Sequence, residues 1–144
     1  MSSRSPYSGP FYWVGAYNSL SKNPTSVSAT ITTPDAAPGS GSWVYVLLSI
    51  WDNAQSYDQI GFLGVGNYWD GGWSVDPGCS GNYDPDFPYT LADNHEYTFT
   101  MEATAAGNIN FLIYDTATSV LLYSDSYNTG GTGFFGGQYW QCTV

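Results

Sequence analysis

The stretch Glu96-Tyr97-Thr98-Phe99-Thr100-Met101-Glu102-Ala103-Thr104 alternates strictly between two kinds of side chain. Tyr97, Phe99, Met101 and Ala103 fall on one side; Thr98, Thr100, Glu102 and Thr104 fall on the other. A period of two is that of a β-strand, whose successive side chains point to opposite faces. One apolar and one polar face imply a sheet buried on one side only. Ser26–Thr33 repeats the pattern, with Val27, Ala29 and Ile31 set against Ser26, Ser28, Thr30 and Thr32. Trp43–Trp51 is a further expected strand, in which Val44–Ile50 alternates less and predicts a central strand covered on both faces. Further strands are expected at Phe11–Tyr17, Gln59–Val65, Gly72–Val75, Asn108–Tyr114, Val120–Ser126 and Phe134–Cys142, between clusters of Gly, Pro, Asn and Asp. Ala106-Gly107-Asn108 and Asp115-Thr116-Ala117-Thr118 suit tight turns. No window carries apolar residues at helical spacing over three turns. So many short strands in 144 residues predict one all-β domain over residues 1–144, a two-sheet antiparallel β-sandwich with a closed barrel as the alternative. Residues 1–9 read as a flexible N-terminal segment.

The charge balance narrows the function. Twelve residues are acidic and two basic, giving a net charge of -10 at pH 7. Arg4 and Lys22 cannot build a basic patch, so nucleic acid is excluded as a partner and an anionic membrane surface is disfavoured. No apolar run is long enough to insert as a membrane span. In acid only Arg4, Lys22, His95 and the amino terminus stay positive, so the chain barely charges up where an ordinary protein swells by self-repulsion. An extracellular, secreted protein of acidic surroundings is expected. The polar Met1-Ser-Ser-Arg start reads as a chain whose leader has been removed. Cys79 and Cys142, in a secreted composition, are most simply one disulfide, two buried thiols being the alternative.

Few residues offer chemistry. His95 is the only histidine and no Cys-x-x-Cys occurs, so no metal and no cofactor is expected. A Ser/His/Asp triad lacks a nucleophile elbow, and no spacing singles out a carboxylate pair for glycoside hydrolysis. Asp70, Asp76, Asp84 and Asp86 lie in one Gly/Pro-rich segment where calcium binding competes with plain turn chemistry. Tyr68, Trp69 and Trp73 sit between glycine-rich turns and are candidates for an exposed aromatic rim, against the alternative of a core position. In Asp58-Gln59-Ile60-Gly61, alternation places Gln59 and Gly61 opposite Ile60 and Phe62, as on a groove floor; Gly136-Gly137-Gln138-Tyr139 repeats the pattern.

The order of several segments resembles the eqolisins, the glutamic peptidase family. These are Tyr12-Trp13-Val14-Gly15-Ala16, the strand ending in Thr33-Pro34, Ser42-Trp43-Val44, Gln59-Ile60-Gly61-Phe62, Tyr68-Trp69-Asp70 through Pro85-Asp86-Phe87-Pro88, Ala92-Asp93 and Asn108–Tyr114. The resemblance spans nearly the whole chain, which is shorter than the family's. It implies a concanavalin-like sandwich, the lectin/glucanase-like jelly roll. It also implies an acid endopeptidase in which a glutamine stabilises the oxyanion and a glutamate activates water. Gln59 matches the glutamine. Gln138 occupies the glutamate position, and an amide exchanges no proton near working pH. Glu102, on the strand face of Thr98, Thr100 and Thr104, could replace the missing acid beside Gln59 if that face is a concave groove, the alternative being a solvated carboxylate on a polar sheet face. Three functions follow as expectations: a glutamic-type acid endopeptidase, a noncatalytic module binding a glycan or polypeptide in a concave groove, and a structural surface protein.

Overall fold

The computed structural model describes residues 24–39, 41–51, 57–76, 87–104, 107–128 and 141–143, for Trp51, Tyr57, Asp76 and 141–143 as backbone. Among them run nine strands and no helix: β1 (Ser26–Thr32), β2 (Trp43–Trp51), β3 (Tyr57–Val65), β4 (Tyr68–Asp76), β5 (Tyr89–Leu91), β6 (Glu96–Ala103), β7 (Asn108–Asp115), β8 (Leu121–Asn128) and β9 (Gln141–Thr143). They form a four-stranded sheet, β1-β6-β7-β8, and a five-stranded sheet, β5-β4-β3-β2-β9. All pairings are antiparallel. The protein is a two-sheet antiparallel β-sandwich.

Alternation decides which side of each strand enters the core. Ile60 and Phe62 of β3, and Trp69, Trp73 and Val75 of β4, meet Phe99 and Met101 of β6 and Ile109, Phe111 and Ile113 of β7. Aromatic contacts bridge the sheets. The Trp73 ring stacks on Phe111 with centroids 4.3 Å apart, and Phe62 approaches Phe99 at 5.9 Å. Burying a side chain of this kind contributes ~1.5–3 kcal/mol. On β1 the expected faces hold: Val27, Ala29 and Ile31 pack against the core. Opposite them Ser28 and Thr30 bond Thr100 and Thr98 at 2.9 and 3.2 Å.

Some elements differ from the sequence reading. The fourth strand begins at Tyr68, not Gly72, because β3 turns into β4 through Gly66-Asn67 alone, with Gly66 at φ 62°. Gly71 and Gly72 look like breakers in sequence yet continue the strand. A Cβ on Gly71 would lie 2.9 Å from Ile113 Cδ1, and one on Gly72 2.8 Å from Phe87, so neighbours fill the room that a side chain would take. The short β5 gives no periodic signal; its pairing with Trp69–Gly71 holds it. Strand β2 is covered at its far half, where Leu48, Ser49 and Ile50 are buried, but not at its start, where Trp43 and Val44 are exposed. The described pairing of β9 reaches only Ser49–Trp51. The strand expected at Phe11–Tyr17, and most of the one expected at Phe134–Cys142, lie outside the described residues.

Candidate functional site

Trp69 and Trp73 do not form a rim. Both point from β4 into the core, each 2% exposed. Trp69 packs edge-on against Phe62 at 5.2 Å, and Trp73 lies on Phe111. The reason is register: Tyr68, Asp70, Gly72 and Ser74 occupy the outward positions of β4, so Trp69 and Trp73 take the inward ones. Tyr68 alone of the expected rim is outside, at 60% exposure.

Gln59 lies on the outer face of the five-stranded sheet, between Ser49 of β2 and Ser74 of β4. It is 6% exposed, and its Oε1 accepts a hydrogen bond from Ser74 Oγ at 3.1 Å. Beside it, Gly61 offers no space to a ligand, since a Cβ there would run into the Val46 carbonyl. Glu102 stands on β6 opposite Ser26 and Asn110, alternating with the buried Met101, and so faces outward from the other sheet. Both layers of the sandwich separate Gln59 from Glu102. The fold therefore does not bring together the Gln59/Glu102 pair that the sequence suggested. Gln138 and Cys79 lie outside the described residues, and only the backbone of Cys142 is described, in β9.

The outer face of the five-stranded sheet grades from polar to aromatic. Ser49, Gln59 and Ser74 form a buried polar row. Two rows further on, Tyr45, Leu63, Asp70 and Thr90 stand side by side on β2, β3, β4 and β5. There Thr90 Oγ1 donates to Asp70 Oδ1 at 3.2 Å, and the Phe87 ring meets Tyr45 edge-on at 6.2 Å. At the end, Trp43, Val65 and Tyr68 lie in line across three strands. Two strand spacings put Trp43 and Tyr68 ~10 Å apart. Trp43 is 63% exposed, which makes this end a shallow aromatic platform with a polar row beside it. Without the strand register, nothing in the sequence separates the inward Trp69 and Trp73 from the outward Trp43. The signal available was the alternation of β2, which puts Trp43 and Tyr45 opposite Val44 and Val46.

Two carboxylates are organised elsewhere. Asp115 ends β7 and closes the turn to β8. Its Oδ1 accepts from Thr118 N–H and Thr118 Oγ1, both at 2.7 Å, and its Oδ2 lies 2.6 Å from His95 Nε2. The Thr118 hydroxyl, then His95, hold its carboxyl down at about 2. Asp125, on β8, accepts from the Trp73 indole N–H at 3.0 Å and from Tyr123 OH at 3.2 Å, both on Oδ2. Burial first, then the Asp125 charge, push the Tyr123 phenol up. Among the described residues no three His, Cys, Asp or Glu side chains gather as a metal site would need. No protein-family model, curated protein or solved structure matches this chain.

Proposed function

We propose that this protein is a noncatalytic carbohydrate-binding module, secreted into acidic surroundings, and that the Trp43–Val65–Tyr68 platform is its contact surface. The observation that carries the reading is the pair of exposed rings, Trp43 at 63% and Tyr68 at 60%, flanking Val65 on one outward row. Flat aromatic faces bury the apolar faces of sugar rings, and the adjacent Asp70 and Thr90 hydroxyl pair supplies hydrogen-bonding groups for sugar hydroxyls. The net charge of -10 at pH 7 disfavours an anionic polysaccharide wherever the carboxylates are ionised. The eqolisin resemblance supports the sandwich scaffold more than the peptidase chemistry, because Gln59 and Glu102 face away from each other on opposite sheets.

The test is retention on insoluble neutral polysaccharides (cellulose, xylan, mannan and β-1,3-glucan) with pectin as the anionic control. Retention on at least one neutral polymer is expected. Trp43→Ala and Tyr68→Ala should each weaken it about tenfold, the scale of a contact hot spot. Retention on none of the polymers refutes the reading, as does unchanged retention in both variants. Protein cleavage at acid pH that disappears in Gln59→Ala and Glu102→Gln alike would instead favour the peptidase.

A further inference from the structure

The outer platform has a direction and a length, and both bear on what it holds. Trp43, Val65 and Tyr68 are cross-strand partners, one each from β2, β3 and β4, so their line runs across the strands and not along them. Neighbouring strands lie ~4.8 Å apart, which spaces the three positions evenly over ~10 Å. Both ends are aromatic and exposed, at 63% and 60%, and the middle is the half-buried, shorter Val65. Beyond Tyr68 the next position in line is small: Leu91 pairs with Trp69, which brings the exposed Ala92 beside Tyr68. A parallel row of Tyr45, Leu63, Asp70 and Thr90 flanks the line, two residues or ~6.7 Å along the strands.

A polysaccharide fits such a line only if its repeat and its shape match. Each unit of an extended 1,4-linked pyranose chain advances by nearly one strand spacing, ~4.8 Å, so three consecutive sugars fall over Trp43, Val65 and Tyr68. In a β-1,4-linked glucan both bonds to each ring are equatorial, the chain is a ribbon, and each sugar is turned over relative to the one before. The first and third sugars then present the same face, one to each aromatic ring, and the second presents its other face to Val65. Glucose suits both contacts, because all its hydroxyls are equatorial and both of its faces carry only C–H groups. Those hydroxyls point sideways, toward the row in which Asp70 and Thr90 supply an acceptor and a donor. α-1,4 and β-1,3 linkages bend the chain into a coil, which leaves the line after one ring. Sheet twist turns the outward direction by ~45° between β2 and β4. A single chain follows that turn through its glycosidic torsions, and a rigid stack of chains does not.

We propose that the platform is a three-sugar site for a single β-1,4-linked glucan chain lying across β2, β3 and β4, with Trp43 and Tyr68 stacked on alternate sugars. The inference rests on the reading of this surface as a carbohydrate site, and adds to it the linkage, the number of sugars and their orientation.

The test is isothermal titration calorimetry with cellobiose and cellotriose, and with maltotriose and laminaritriose as linkage controls. Cellotriose is expected to bind ~10-fold more tightly than cellobiose, the scale of one further ring contact. Maltotriose and laminaritriose should bind no better than cellobiose. Trp43→Ala and Tyr68→Ala, both at exposed positions, should each erase the advantage of cellotriose over cellobiose while leaving the thermal midpoint in place. The proposal is overturned by equal affinity for cellobiose and cellotriose, by equal affinity for the three trisaccharides, or by an advantage of cellotriose that survives in both variants. Absence of saturable binding up to ~50 mM, well above a weak millimolar Kd, overturns it as well. If the protein is nevertheless retained on a neutral polymer through Trp43 and Tyr68, the carbohydrate reading stands and only the linkage and length are lost; retention on none removes both.

Discussion

Replacing Trp73 by alanine tests whether β4 has the register described. The indole is buried, lies flat on Phe111 at 4.3 Å and donates to Asp125 at 3.0 Å. Truncating a buried aromatic to alanine costs ~3–5 kcal/mol, and Asp125 loses a donor besides. A domain of this size has ~5–15 kcal/mol in total, so the variant should retain a cooperative but much weaker transition. Trp73→Phe separates the parts: it keeps a ring on Phe111 and removes the N–H, which should cost ~2 kcal/mol for a bond to a charged acceptor. Trp43→Ala, at an exposed position, should stay within ~0.5 kcal/mol of the wild type. Urea titration followed by far-UV circular dichroism gives all three, with equal slopes required for the comparison. In thermal melts the Trp73→Ala midpoint should fall by about 10 °C or more. A loss below ~1 kcal/mol for Trp73→Ala, or a loss at Trp43 as large as that at Trp73, would reverse the assignment of faces. It would return Trp73 to the outer rim.

Two further outcomes follow from the geometry. The carboxyl of Asp115 sits at about 2 in the folded protein against an ordinary 3.8, so folding favours its ionised form. That stabilisation is complete above the ordinary value and is lost as pH falls through about 2. Melting curves of wild type and Asp115→Asn should therefore differ at ~pH 5, and the gap should close as the pH falls from ~4 towards ~2; a gap that widens over that range contradicts the sign. Gly61→Ala places a methyl against the Val46 carbonyl of the neighbouring strand, where backbone cannot yield, and should cost ~1–3 kcal/mol in the same urea titration. An unchanged midpoint would mean that β2 and β3 are further apart than described.

An all-β fold with one buried side per strand was legible in the sequence, and the choice of sandwich over closed barrel came with the strand pairing. The alternation of Tyr97–Ala103 and Val27–Ile31 says which side of each strand is apolar, and one apolar side per strand requires a second sheet to cover it. The turns at Gly107 and Asp115–Thr118 were legible for the same local reason, because the residues that allow them act on their own backbone. What each carboxylate, amide and indole faces was not legible. Glycine-rich β4 has no apolar period to fix its register, so the sequence could not say that Trp69 and Trp73 turn inward while Tyr68 turns outward. That was settled by Ile113 of β7, Leu91 of β5 and Phe87, just before β5, closing on Gly71 and Gly72. Gln59 and Glu102 are both on polar strand faces, and local pattern gives each face but not the sheet to which it belongs. Strand pairing put them on opposite outer surfaces, and it set Asp125 against Trp73, 52 residues away. Alternation is a property of neighbouring residues; proximity across a sandwich depends on contacts between strands far apart in the chain.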